Sequence, residues 1–149
     1  MKKWYSTIMV LSMALLLGFG VIHWQTRSTS SDSTLVNKKQ IIKSISPGDG
    51  LSMIEKSKNN LNFVILDVRT PQEYDPEHIS GAMNVDYSSY SFRTNLNQLD
   101  KAKTYLIYCR SGRRSGLALD VMRELGFSEV YDISGGIVAW KTKGLPYLN

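Results

Sequence analysis

Cysteine is almost missing from these 149 residues: Cys109 stands alone. A single thiol excludes an internal disulfide and any zinc site built from several cysteines. It also leaves dithiol exchange without its second member. Positive charge is thinly spread. The formal net charge of +5 divides into +2 before residue 35, from Lys2, Lys3 and Arg27 against Asp32, and +3 over the rest. No Lys/Arg run interleaved with aromatics occurs outside the segment around Cys109, so nothing points to a nucleic-acid partner. The length fits one globular domain once a targeting segment is set aside.

That segment is the long apolar run at residues 8–22, where Ser12 is the only clearly polar residue. Lys2 and Lys3 precede it, and Trp4, Tyr5 and Trp24 flank it. Residues 1–24 read as a signal anchor or a signal peptide. A helix from Trp4 to Trp24 extends roughly 30 Å, enough for a bilayer's hydrocarbon core. The aromatic ends suit membrane interfaces and the paired lysines a cytoplasmic N-terminus. The absence of an A-x-A site favours the anchor, while Gly18 and Gly20 keep cleavage open. No cysteine follows the run, which excludes a bacterial-type lipid anchor. Either reading places the rest of the chain beyond the cytoplasmic membrane: attached by a single pass, or periplasmic or secreted. Residues 25–37, rich in Ser and Thr, read as a flexible tether to a domain at 38–149.

Within that domain strands and helices alternate. Ile41, Ile42 and Ile45 suggest a first strand, and Ser46-Pro47 an N-cap with proline at the first helical position, opening a helix to about Lys58. Residues 63–66 read as a buried strand ending in Asp67-Val68-Arg69. Thr70-Pro71-Gln72-Glu73 combines N-cap, first-turn proline and capping-box glutamate. A brief strand at 83–85, a helical turn around 93–99, a last strand at 130–133 and a helix opened by Gly135-Gly136 complete the series. Such alternation predicts an α/β domain, a central parallel sheet of about five strands with helices on both faces.

One stretch stands out. Residues 105–108 form a continuous apolar run, as in a strand buried on both faces, and deliver Cys109 to a turn rich in Gly, Ser and Arg. Ala118, Val121, Met122 and Leu125 then follow the spacing of an amphipathic helix, with Gly126 at its C-terminal cap. In parallel sheets ligands bind beyond the carboxyl ends of the strands, where Cys109 falls. A lone cysteine ending a strand is ordinarily a small core hydrophobe. Here the surroundings favour its thiolate: a helix N-terminus, Gly112 for an inward-facing N–H nest, and positive charge on Arg110, Arg113 and Arg114. Two arginines at a helix start oppose the dipole and need another reason. The loop suits an anionic substrate and an anionic cysteine adduct.

These residues resemble the active-site loop of the rhodanese family of sulfurtransferases, in which a cysteine opens a six-residue cradle, here Cys109 to Arg114. Leu66-Asp67-Val68-Arg69 with Glu73-Tyr74 and His78-Ile79-x-Gly81-Ala82-x-Asn84 resembles the family's first signature. Tyr131-Asp132-x-x-Gly135-Gly136 with Trp140 resembles its second. The resemblance implies a rhodanese-like domain and a thiosulfate sulfurtransferase. By that resemblance Cys109 is expected to take a sulfane sulfur as a persulfide and yield it to cyanide or a thiol, without a metal or organic cofactor. It assigns donor binding to Arg110, Ser111, Gly112, Arg113, Arg114 and Ser115, with Asp67 and Arg69 in support. Arg69 and Glu73 are expected to form an ion pair bracing the short helix, His78 to pack a turn, and Tyr131 and Trp140 to belong to the core. The partners are a small sulfur donor and acceptor and the membrane at the N-terminus; a protein acceptor is left open. Two other functions compete. A tethered persulfide carrier or interaction module would load sulfur with little turnover. A cysteine phosphatase would want arginine six positions after the cysteine, where Ser115 stands.

Overall fold

The computed structural model describes residues 39–149. The apolar segment 1–24 and the whole tether, 25–37, lie outside the described residues, and with them the expected N-terminal helix. Among the described residues no helix is long and apolar enough to cross a membrane.

Ten elements alternate: β1 (Ile41–Ile45), α1 (Pro47–Lys56), β2 (Phe63–Asp67), α2 (Pro71–Tyr74), β3 (Ala82–Asn84), α3 (Phe92–Asn97), β4 (Thr104–Tyr108), α4 (Arg113–Glu124), β5 (Glu129–Ile133) and α5 (Gly136–Thr142). The five strands form one sheet in the order β1-β5-β4-β2-β3, every pair parallel. The β4 strand is central, which accounts for its unbroken apolar sequence: both edges are paired and both faces are covered. Tyr105 through Tyr108 are at most 1% exposed.

Alternation along the strands divides the core. Leu66, Tyr105, Ile107 and Val130 face α3 and α4, packing with Phe92, Leu96, Ala118, Met122 and Phe127. Ile65, Leu106, Tyr108 and Ile133 face the other helices, packing with Leu51 and Ile54 of α1, Tyr74 of α2 and Ile137 and Trp140 of α5. Fully burying one such side chain contributes about 1.5–3 kcal/mol, so helices on both faces hold β4 and the turn that follows it.

Several helix starts form as the sequence predicts. Ser46 caps α1, its hydroxyl accepting from the Asp49 N–H, and Pro47 opens the helix. Thr70 and Glu73 make the capping box of α2. Helix α1 ends at Lys56, two residues before the expected end. Gly50 lies against Ile133 and Trp140, a close approach that explains a poor helix former there. Trp140 is fully buried with its indole N–H on the Pro146 carbonyl. Tyr131 meets the core expectation in part: it is half-buried and packed against the cluster around Ile133 and Trp140, while its hydroxyl bonds Glu129 and Lys43 lies over its ring.

Candidate active site

The chain leaves β4 at Tyr108 and enters α4 at Arg113, so Cys109 to Gly112 form the turn at the carboxyl end of the central strand. Cys109 is 1% exposed. Gly112, the N-cap of α4, has φ +89°, a left-handed conformation that glycine adopts at no steric cost. This bend points the Gly112 N–H at Cys109 Sγ, 3.2 Å away, and the Ser115 hydroxyl donates to the same sulfur at 3.5 Å.

The outer side of the turn is held by α5. The N–H of Ile137 donates to the Cys109 carbonyl at 2.9 Å, and that of Val138 to the Arg110 carbonyl at 3.1 Å. First-turn N–H groups have no partner within their own helix; here they fix the loop's carbonyls away from the sulfur. Gly136 makes this docking feasible, since a Cβ there would stand 2.3 Å from the Cys109 carbonyl oxygen. The Gly-Gly doublet was legible as a helix start, and its contact with the cysteine loop was not.

Burial pushes the Cys109 thiol up, but the Ser115 hydroxyl and the N–H groups of Ser115, Ser111 and Gly112 outweigh it, and the pKa ends below the ordinary value. The thiolate is therefore favoured chiefly by hydrogen bonds to the anion. The inward-facing N–H nest expected at Gly112 is present, and of the three arginines expected to add charge Arg114 is the one placed near the sulfur. Arg110 and Arg113 are exposed. Arg114 is half-buried, and its guanidinium is held charged first by Glu73 and then by the nearby Cys109 sulfur.

The expected Arg69–Glu73 pair does not form. Arg69 turns back to Asp67, with Nε 2.9 Å from Oδ2 and Nη2 2.7 Å from the same oxygen, and both residues are buried. The Asp67 carboxylate also takes the Arg69 N–H, so the turn after β2 closes on its own residues. Arg69 reaches on to the Glu77 carbonyl, and the Asn84 amide caps the carbonyls of Asp67 and Arg69. Glu73 is left facing the cysteine loop, where Arg114 meets it through two bonds of 2.6 and 2.7 Å. That fork supplies the reason for an arginine at the start of α4.

His78 packs a turn as expected. Its ring stacks on Tyr74 with centroids 4.1 Å apart, and its backbone bridges to Leu148. An open groove of about 570 Å³ lies beside the loop, lined by Arg69, Glu73, Glu77, Arg110, Val138 and Lys141 among others. Lys141 is paired with Glu77 across it. Among the described residues no cluster of His, Cys, Asp and Glu is arranged to hold a metal ion.

Comparison with known proteins agrees with this geometry. An uncharacterized protein of Synechocystis is 41% identical over 85 residues, 56% of this chain, which spans less than half (45%) of that relative's length. Thiosulfate sulfurtransferase PspE of Escherichia coli is 36% identical over 81 residues, covering 53% of this chain and 78% of that protein. A rhodanese-related protein from Thermoplasma volcanium superposes with a TM-score of 0.61 at 30% identity, over 71% of this chain and 97% of that one. Residues 48–143 match the family described as Rhodanese-like domain. Through that match, with Cys109 at the end of the central strand, the chain belongs to the rhodanese-like domain family.

Proposed function

We propose that this protein is a sulfurtransferase that carries a sulfane sulfur on Cys109, taken from thiosulfate or a donor of the same anionic class. The observation that carries the reading is the convergence of the Gly112 N–H and the Ser115 hydroxyl on a buried sulfur. Donors fixed in a water-poor site stabilise developing charge without reorganising. The Cys109 thiolate attacks the outer sulfur of thiosulfate; the S–S bond breaks and sulfite leaves with its electron pair. The terminal persulfide sulfur carries one negative charge into the ring of loop N–H groups. Cyanide or a thiolate then attacks that sulfur, releasing thiocyanate or a new persulfide and restoring the Cys109 thiolate. Charge and atoms balance in both halves, and no redox partner is consumed.

Arg110 and Arg113, exposed at the loop, are assigned to the sulfonate end of the donor. Arg114 braces the loop through Glu73 and lends its charge to the sulfur. That engagement also weighs against a phosphatase, which needs a guanidinium free to wrap a phosphoryl group. The named activity of the E. coli relative supports thiosulfate as the donor.

Intact mass after thiosulfate treatment tests the proposal. Wild type gains one sulfur, cyanide removes it, and Cys109→Ser gains none. An unmodified Cys109, or hydrolysis of an aryl phosphate without sulfur loading, overturns the reading.

A further inference from the structure

Because every pair in the sheet is parallel, all the strands begin at the end of the domain opposite Cys109. Hydrogen bonds knit that end into one rim. The Gln40 side-chain amide donates to the Phe127 carbonyl at 2.8 Å, and the N–H groups of Ile41, Ser128 and Thr104 donate to the carbonyls of Ser128, Lys101 and Asn62, each at 2.9 Å. At about 4.8 Å per strand gap, the rim from β1 across β5 and β4 to β2 covers roughly 15 Å.

Lysines from separate loops gather along it. Lys39 precedes β1, Lys58 lies in the turn before β2, and Lys101 and Lys103 precede β4; Lys39 and Lys58 are exposed, the other two half-buried. None of them has a carboxylate partner among the described residues. Lys56 and Arg123, in the last turns of α1 and α4, add charge that the helix dipoles already explain. The loop lysines have no such reason. Against them stand Asp100 and Glu129, since Glu124 and Asp120 are paired with Arg93 and Arg123. The rim is left positive.

One leucine on the same rim is out of place. Leu61 is 86% exposed although its turn is well made: the Asn60 N–H donates to the Ser57 carbonyl, the Phe63 N–H to the Asn60 carbonyl and the Asn62 N–H to Asn60 Oδ1. A single exposed apolar side chain is ordinary on a protein surface. Here, however, an open cavity of about 320 Å³ follows at the start of β2, lined by Ile54, Lys58, Phe63, Ile65 and Met83 among others, and Met83 is itself 48% exposed. Apolar surface bordered by lysines suits the boundary of an anionic bilayer, where apolar tips enter the acyl region and ammonium groups meet phosphates. The chain itself favours that occupant. The described domain begins at this end, at Lys39, and residues 1–38 lead into it with the apolar run 8–22 that reads as membrane-targeting.

We propose that this rim, with Lys39, Lys58, Lys101 and Lys103 around Leu61, is a docking surface for an anionic lipid bilayer. The cysteine loop, at the opposite ends of the strands, then faces away from the bilayer and stays open to small donors and acceptors in water. The proposal is independent of what Cys109 does.

Its test uses the full-length protein with one thiol at a time. Leu61→Cys in a Cys109→Ser background carries a polarity-sensitive dye on the rim, and Ser134→Cys in the same background carries it on an exposed position just past β5, at the catalytic end. On vesicles of phosphatidylcholine and phosphatidylglycerol in equal parts, emission from position 61 should move to the blue; on phosphatidylcholine alone it should not. Emission from position 134 should be the same on both. High salt should reverse the shift, because screening weakens attraction between exposed charges. Lys58→Glu/Lys101→Glu/Lys103→Glu should lower the ratio of shifted to unshifted dye at least about tenfold. No shift at position 61, an equal shift at position 134, or an equal shift on phosphatidylcholine alone overturns the proposal, as does a shift that survives both salt and the charge reversals. A shift that grows with protein density on phosphatidylcholine assigns the patch to contact between copies and overturns it too. The lipid and salt comparisons need no lysine variant, so they decide the matter even if the triple variant fails to fold.

Discussion

The Glu73 carboxylate grips both terminal nitrogens of Arg114, at 2.6 and 2.7 Å, across 41 residues of sequence. The fork ties α2 to the first turn of α4, the helix into which the cysteine loop runs. Arg114 first, with help from Thr70, holds the Glu73 carboxyl down at about 2 against burial. A carboxyl depressed from 4.5 contributes stability above that value, and loses it as pH falls towards 2. Both groups are partly exposed, so screening leaves about 1 kcal/mol at pH 7. Glu73→Gln should show that loss in urea unfolding at pH 7 and none in strong acid. Arg114→Lys should lose a similar amount, because an ammonium cannot reproduce the fork. Equal wild-type and Glu73→Gln stability at pH 7 would remove the clamp.

The pair beside it behaves differently because it is buried. Asp67 and Arg69 are 0% and 3% exposed. Removing one partner strands a charge in the core, at a cost of about 3–5 kcal/mol. Arg69→Leu should be destabilised by that amount, and the Asp67→Asn/Arg69→Leu double variant by markedly less, since no net charge is left buried. Chemical unfolding of the two settles the matter: additive losses would show that the residues act independently.

How much of this was legible from sequence depends on the range of the interaction. Thr70-Pro71-Gln72-Glu73 is a local signal, and the capping box it predicts is present. The apolar run before Cys109 identified a fully buried strand, and β4 is central. Glu73 was misread for the same reason: Arg69 lies close in sequence, whereas the true partner, Arg114, arrives only through the pairing of β2 with β4. Ser115, just past the six-residue cradle, was expected only among the donor-binding residues. That its hydroxyl also reaches the sulfur depends on how far α4 has turned from Gly112. Asp132 belonged to a recognised signature, yet its burial beside Ser44 follows from β1 pairing with β5, a contact between the two ends of the domain.

Gly136 allows a backbone test. Its φ of +59° and the 2.3 Å approach of a would-be Cβ to the Cys109 carbonyl leave alanine no room. Gly144 has a similar φ of +66° but nothing within 4 Å. Each alanine variant carries the left-handed backbone cost of about 1–2 kcal/mol, and only Gly136→Ala also pushes α5 off the loop. Sulfur loading should fall at least about tenfold in Gly136→Ala, roughly 1.4 kcal/mol in the barrier, and stay near wild type in Gly144→Ala. Matching losses in the two variants would reduce the effect to backbone strain.

Arg110 offers a test of donor recognition separate from stability. It lines the groove beside the loop, and its guanidinium has no ion-pair partner among the described residues, whereas Arg69, Arg114 and Lys141 are each bound to a carboxylate. An uncommitted cation binds a dianionic donor without first breaking an internal pair. Arg110→Ala should therefore raise KM for thiosulfate about tenfold, or roughly 1.4 kcal/mol, with kcat nearly unchanged and unfolding as in wild type. Because the group is exposed, salt screens its attraction within a Debye length of about 8 Å at physiological ionic strength. Added salt should raise the wild-type KM and leave that of the variant much flatter. If KM and its salt dependence are the same in both proteins, the sulfonate end of the donor is held elsewhere, and Arg113, exposed on the first turn of α4, becomes the residue to replace.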